Sequence, residues 1–379
     1  MVVPYLPRPI PRVTILCFDG GVNSDVKQPA VTKGRGAQYN PANRFDKIHW
    51  APHEDLTDEP GEQIDPKTEI FDDATRSILT RNDSPDVGFD VSVNPYRGCE
   101  HGCVYCYARP THEYLGLSAG LDFESKLFAK LHAADLLRGE LAKKNWQPSP
   151  ILLSGVTDCY QPIERQLRLT RACLEVLAEC RQPVTIVTKS HLVERDIDLL
   201  SRLHEFGAAS VTLSVTTLDA ELAAKLEPRA SRPVRRLSAI RKLADAGIPV
   251  GVNVAPLIPG LTDHEIPAIL RACSDHGATF ASYVIVRLPL AVAPLFENWL
   301  AAYFPDRKEK VLGRLRSMRG GKLNDPRFGS RMRGEGVFAE QIRSFFALSA
   351  RRAGLSREWP TLRGDAFIRP DVGDQLSLF

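Results

Sequence analysis

Residues 99–107, CEHGCVYCY, place three thiols and three rings in nine positions, with the spacing Cys99-x3-Cys103-x2-Cys106. Thiols set that closely can hold a metal. A structural zinc ion takes four protein ligands in a tetrahedron, so His101 or His112 would have to complete a Cys3His set. Iron–sulfur clusters are normally held by four thiolates. A loop supplying three leaves one iron with a coordination position open to something that is not protein. A disulfide is the remaining use of close cysteines, and a reducing compartment disfavours it. The opening residues, MVVPYLPRPIPRVTILCFDG, carry a short apolar patch broken upstream by prolines, without a signal peptide's long apolar core. The expected compartment is therefore the cytoplasm. No apolar run approaches the roughly 20 residues of a membrane span.

The elements that position this loop can be read from apolar patterning. DVSVNP (90–95) alternates like a strand and runs directly into the cysteines. Further strand-like runs are SKLFAK (125–130), ILLSGV (151–156), PVTIVTK (183–189), ASVTLSVTT (209–217), PVGVNVAP (249–256) and TFASYVIVRL (279–288). Helical patterns separate them at 133–144, 164–180, 193–207, 219–226, 233–246 and 263–276. Such alternation predicts an α/β fold built of parallel βαβ units. The reading is a partial (βα)6 TIM-type barrel over 89–290, with an open doubly wound sheet as the competitor. An extended, partly disordered arm (1–45) and a turn-rich extension (46–88) precede it. A helical, basic C-terminal extension (291–360) and a flexible tail (361–379) follow. The composition, 43% hydrophobic and 25% charged, is ordinary for a globular chain.

Cys-x3-Cys-x2-Cys with an aromatic residue, Tyr105, before the last cysteine resembles the radical S-adenosylmethionine (SAM) superfamily, over roughly residues 85–290. The resemblance implies a [4Fe–4S] cluster on Cys99, Cys103 and Cys106, with SAM chelating the open iron. It also implies cleavage of SAM to methionine and a 5′-deoxyadenosyl radical that takes hydrogen from a substrate. An electron donor such as a flavodoxin or ferredoxin is implied with it. Within the superfamily the chain resembles spore photoproduct lyase and its uncharacterised relatives. Cys103-Val-Tyr105-Cys106-Tyr107 resembles the lyases' Cys-x-Tyr-Cys-Tyr, which makes Tyr107 a candidate radical relay. SGVTD (154–158) looks like the segment that brings a hydroxyl and a carboxylate to SAM, implicating Ser154, Thr157 and Asp158. By the same resemblance Tyr105 flanks SAM, Lys189 reaches its carboxylate, Ser214 and Thr216 lie by the ribose, and VAPLIPG (254–260) lies by the adenine. The chain departs from the lyases at Gly155, where they carry a hydrogen-donating cysteine. Cys159 is either a displaced donor or a buried structural thiol. The resemblance therefore carries the cofactor chemistry further than the lyase reaction.

Other features bear on partners. Cys173, Cys180 and Cys273 sit in helical patterns without paired spacing and are expected in the core. Glu227-Pro228-Arg229 either aims Arg229 at an anion, the SAM carboxylate or a substrate phosphate, or forms a surface turn. Between residues 305 and 352 there are thirteen Lys or Arg against five Asp or Glu, including Arg314, Arg316, Arg319, Lys322, Arg327, Arg331 and Arg333. Interleaved with glycines, Phe328 and Met332, the segment suits phosphate contacts, or it is a solvated helical face. The net charge of +3 is too small by itself to point to a polyanion. KGRGAQYNPANRF (33–45) has a similar mixture, or is an arm packed along the barrel. The terminal Gln375-Leu376-Ser377-Leu378-Phe379 resembles the short motif that binds the bacterial sliding clamp, with self-docking on the barrel as the other reading. The expectation is a radical SAM enzyme acting on nucleic acid, in the manner of DNA repair. The alternatives are the same chemistry on a protein or small molecule, and a zinc-stabilised, non-enzymatic binding module.

Overall fold

Runs of β-branched and aliphatic residues such as VTIVT at Val184–Thr188 are buried on both sides, as parallel strands are when helices cover both faces. In the computed structural model, which describes residues 34–45 and 67–371, ten strands follow in chain order. They are β1 (Glu69–Asp72), β2 (Leu79–Arg81), β3 (Val91–Val93), β4 (Tyr96–Arg97), β5 (Lys126–Ala129), β6 (Ile151–Leu153), β7 (Val184–Thr188), β8 (Ala209–Ser214), β9 (Val250–Leu257) and β10 (Phe280–Ile285). Six of them pair in parallel in the order β10-β9-β8-β7-β6-β3, with β2 antiparallel on the outer side of β3. Strands that are consecutive in this series lie side by side, joined by helices, as right-handed βαβ crossovers require.

The sheet does not close on itself. On one edge β2 covers β3. On the other, the C-terminal segment bridges β10 through Phe280 and Ser356, with Ala281 N donating to the Ser356 carbonyl at 2.7 Å. Capped edges spare the sheet the exposed ladder of an open one, and the arrangement is that of a partial barrel. Val93, Leu153, Ile186, Leu213, Val252 and Ile285 are fully buried, and the register sets Ile186, Leu213 and Val252 on the face opposite the partly exposed Val187, Asn253 and Ser282.

Two elements differ from the sequence pattern. The strand at 125–130 does form, as β5, but it joins β1 and β4 in a separate three-stranded sheet beside the barrel. The helix expected over 164–180 is broken at Arg168, which takes φ 54, into Glu164–Leu167 and Leu169–Glu179. The cause is Glu164, whose carboxylate accepts from Thr170 N at 3.0 Å and Arg171 N at 3.3 Å, and so caps the second helix in place of a continuous first one.

After β10 come helices Val292–Tyr303, Pro305–Ser317 and Val337–Arg352. Trp299 anchors the first, fully buried, its indole N–H donating to the Lys225 carbonyl at 2.9 Å. Among the described residues no helix is long and apolar enough to cross a membrane.

Candidate active site

The cysteine loop leaves the first barrel strand, β3, and passes through β4. At Gly102 the backbone takes φ 65, and an added Cβ would meet the Glu124 carboxylate oxygen at 2.7 Å, so no side chain fits. Five hydrogen bonds fasten the loop, four of them to elements distant in sequence. Cys99 N donates to the Phe123 carbonyl (2.9 Å) and Val104 N to Leu226 (3.1 Å). Gln161 bridges two turns of the loop, accepting from Glu100 N at 2.8 Å and donating to the Gly98 carbonyl at 3.2 Å. Arg109 Nε donates to the Cys103 carbonyl at 3.0 Å. Arg109 and Glu124 form an ion pair that is completely buried. Glu124 also accepts from Gly36 N (3.0 Å) and Ala37 N (2.8 Å), which clamps the segment 34–45 over the loop. Asn43 adds bonds to the carbonyls of Glu113 (2.9 Å) and Leu117 (3.1 Å). The part of the N-terminal arm that is described is thus a strap. Residues 1–33 lie outside the described residues.

Cys99 and Cys103 are buried and Cys106 is partly so. Burial pushes the Cys99 thiol up, and Asp158 and the two other thiols push it further. Burial raises Cys103 as well, with Glu227 adding to it. Burial also raises Cys106, against a downward pull from Arg109. Three neighbouring thiols that resist ionisation become thiolates only when a metal supplies the positive charge. His101 is turned to Asp158, with Nδ1 3.4 Å from its carboxylate. His112 lies edge-on to Phe123 and Phe128, with Nε2 2.8 Å from the Lys126 carbonyl, so it shapes the turn after the loop. Among the described residues, no three His, Cys, Asp or Glu side chains are arranged to hold a single metal ion. The donor set that the loop offers is three soft thiols, which fits an iron–sulfur cluster with one iron left open.

Beneath the loop lies a buried network centred on Glu227. Its carboxylate accepts from the Tyr105 hydroxyl, from Thr216 Oγ1 (2.5 Å) and from the Arg236 guanidinium. Arg236 also donates to the carbonyls of Ser214 (2.9 Å) and Ser231 (2.7 Å). Burial would raise the Glu227 carboxyl, but Arg236 and Lys189 hold it down at about 2. A second, partly buried acid, Asp158, accepts from Thr188 Oγ1 (2.7 Å), Lys189 N (2.8 Å) and Tyr160 N (2.9 Å). Burial would raise it too, and His101 and these donors lower it to about 2.

The residues singled out by sequence divide into three groups. Tyr107, Ser154 and Lys189 face partly open space at the C-terminal ends of the strands, where barrel enzymes place functional groups. The Tyr107 hydroxyl donates to the Gly155 carbonyl at 2.7 Å. Lys189 Nζ is 3.2 Å from the Ala255 carbonyl and 5.9 Å from the centroid of the Tyr105 ring. Tyr105 and Thr216, buried, and Asp158, partly buried, form a second shelf of fully engaged groups. Thr216 was expected by the ribose, but its hydroxyl is committed to Glu227 and to the Ala255 carbonyl at 3.1 Å. Thr157 likewise donates to the Tyr96 carbonyl at 2.9 Å, so it orders the loop rather than facing outward. Ser214 is buried behind this shelf, its carbonyl tied to Arg236. The third group is in the core. Cys159 has no exposed surface, and burial together with Asp158 raises its thiol, which fits the structural alternative rather than a donor in the open site. Cys173, Cys180 and Cys273 are core thiols too.

The basic segment is less free than its composition suggests. Arg314 pairs with Asp263 (3.0 Å), Arg327 with Asp325 (2.8 Å) and Glu335 (2.9 Å), and Arg331 with Asp86. Arg319 donates to the carbonyls of Leu323 (2.7 Å) and Val286 (2.5 Å), and Arg333 lies 4.7 Å from the centroid of the Tyr283 ring. Sequence reasoning passed over Arg287, which follows β10. Its guanidinium carbon is 5.5 Å from the centroid of the Tyr107 ring. Burial lowers its pKa, and Arg331 beside it lowers it further. Its Nε has no hydrogen-bond partner among the described residues, and Nη1 has only the Met332 sulfur at 3.9 Å.

Residues 93–273 match the family model described as the radical SAM superfamily. An uncharacterised protein of Mycobacterium tuberculosis is 35% identical over 220 residues, 58% of this chain and 65% of the relative. The match thus spans just under two thirds of that relative. A protein named radical SAM Nα-GlyT isomerase, from Pseudomonas phage M6, is 27% identical over 177 residues, 46% of this chain and 35% of the relative. Among solved structures, a spore photoproduct lyase variant with bound AdoMet and dinucleoside spore photoproduct superposes with a TM-score of 0.55. The sequence identity is 17%, over 77% of this chain and 82% of that one. At that identity the likeness is one of fold.

Proposed function

With a radical SAM domain at residues 93–273 as the premise, we propose that this protein is a radical SAM enzyme whose substrate is nucleic acid. Cys99, Cys103 and Cys106 would hold a [4Fe–4S] cluster, and together with SAM that cluster supplies a 5′-deoxyadenosyl radical, given an electron from a donor of the flavodoxin or ferredoxin kind. The chain's own residues do the positioning. Lys189 presents a cation at the end of β7 for the carboxylate of SAM. The Glu227 network fixes the Tyr105 ring beneath it, and Asp158 holds the Lys189 backbone. Tyr107 stands on the open side, where a phenol can pass a hydrogen atom between cofactor and substrate.

The observation that carries the substrate class is Arg287. A guanidinium that is partly buried, has no carboxylate of its own and lies over an exposed tyrosine is poised for an anion, and phosphate suits its geometry. The nearby acid, Asp86, is taken by Arg331. The dinucleoside ligand in the structural neighbour supports the same reading. A base worked on here would be extruded from its stack into the barrel mouth, at a cost of a few kcal/mol.

Oligonucleotide binding to the anaerobically reconstituted protein, followed by fluorescence anisotropy across a salt series, tests this. Affinity should fall steeply with salt, and Arg287→Gln should weaken it and reduce the salt slope by about 1. Absent or salt-insensitive binding would leave the chemistry standing with a substrate of another class.

A further inference from the structure

The stretch RASRPVRR (229–236) holds four arginines in eight residues. Arg236 turns inward to Glu227. The other three, Arg229, Arg232 and Arg235, border a cavity of ≈ 210 Å³ on the outer side of the strand ends. Arg165 from the segment after β6, His191 from the turn after β7 and His101 from the cysteine loop border it as well. No Asp or Glu lines this cavity, and neither Tyr105, Tyr107 nor Lys189 reaches it, so it is separate from the open side described above.

Like charges gather in one place only at an electrostatic cost, unless something of opposite sign offsets it. Arg229 has Glu100 at 3.0 Å. Arg165, Arg232 and Arg235 have no carboxylate and no side-chain hydrogen-bond partner among the described residues. A second feature points the same way. The 13-residue helix Pro233–Asp245 begins at this cavity, with Arg232 in the capping position and no side-chain cap; Pro233 has no N–H and Arg235 N bonds to the Arg232 carbonyl at 2.9 Å, which leaves Val234 N in the first turn. The positive end of the helix dipole lies there and favours an anion. His191 is set by Ser231, whose Oγ accepts from His191 N at 2.9 Å and lies 2.8 Å from Nδ1.

We propose that this cavity is a phosphate-binding site. Guanidiniums in planar forks and an imidazole, set at the positive end of a helix, are together a donor set for a tetrahedral oxyanion. The volume admits one phosphate group and a little of what it is attached to. The inference does not rest on the proposed substrate, because it concerns a different cavity and is read by binding alone.

Isothermal titration of the full-length reconstituted protein with inorganic phosphate tests the site. Phosphate should bind, and Arg232→Gln/Arg235→Gln should weaken it by about tenfold or more with the thermal midpoint unchanged. Should that double variant unfold, Arg165→Gln removes a third unpaired guanidinium and should weaken phosphate binding alone. Displacement of phosphate by an oligonucleotide would identify a backbone phosphate as the occupant. Displacement only by a mononucleotide would identify a small phosphorylated ligand, and either result supports the site. No phosphate binding, or binding that these substitutions leave unchanged, overturns it.

Discussion

Glu227 receives a tyrosine, a threonine and an arginine at once, and all four side chains are buried. Glu227→Gln keeps the shape but leaves Arg236 as a buried charge without its counterion. Breaking such a pair costs about 3–5 kcal/mol, so the thermal midpoint of the protein should drop by several degrees, and an unchanged midpoint would contradict the network. Arg271→Ala, which removes an exposed helical pair with Asp275, should change stability by less than about 1 kcal/mol in the same assay. Glu227 and Asp158 also set a pH dependence. Both carboxyls sit lower in the folded chain, at about 2, than in the unfolded one. Their contribution is complete above the ordinary carboxyl range and is lost as pH falls from there towards 2. Chemical denaturation at stepwise lower pH should show stability declining below about pH 4.5, less steeply in Glu227→Gln. At this scale the sequence was legible where chemistry is local, in the cysteine spacing with Tyr105 and Tyr107. It was not legible for Glu227, which drew notice only as the neighbour of Arg229, because the partners that define it come from the cysteine loop, the end of β8 and the helix Pro233–Asp245. The Arg287–Tyr107 contact was hidden for the same reason.

Among the elements, the strap 34–45 and the cysteine loop share one support, the buried Arg109–Glu124 pair. Gly36 lies so close that an added Cβ would fall 1.7 Å from the Gly102 carbonyl oxygen. Gly36→Ala should therefore lift the strap and loosen the loop, and the reconstituted variant should lose iron to a chelator faster than the parent. Equal rates would mean that the strap does not guard the cluster. The alternation of strands and helices was readable because each run carries its own period. Its exceptions come from contacts outside the run. β5 has a strand's pattern but no signal naming its partners, β1 and β4. The break at Arg168 arises from a glutamate capping the next helix, and nothing in a helical pattern announces that.

Over the whole molecule, the excess of basic residues in 305–352 suggested a free stripe. Asp86 and Asp263, distant in sequence, neutralise Arg331 and Arg314, and only a folded chain brings those acids there. Arg287, and Arg232 and Arg235 at the cavity, have no ion pair among the described residues. The terminal motif Gln375, Leu376, Leu378 and Phe379 lies outside the described residues. As a clamp-binding peptide it would tether the protein to DNA through a few apolar anchors. Deleting 375–379 should abolish co-elution with the sliding clamp while leaving the iron content intact, and undiminished co-elution would contradict that role.

The central claim is that the three thiols hold a cluster whose open iron takes SAM. Its most direct test is anaerobic reconstitution followed by reduction in the presence of SAM, with iron and 5′-deoxyadenosine measured together. The account predicts about four irons per chain and formation of 5′-deoxyadenosine, both lost in Cys99→Ala, Cys103→Ala or Cys106→Ala. Zinc in place of iron, or a full iron complement with no 5′-deoxyadenosine, would contradict it.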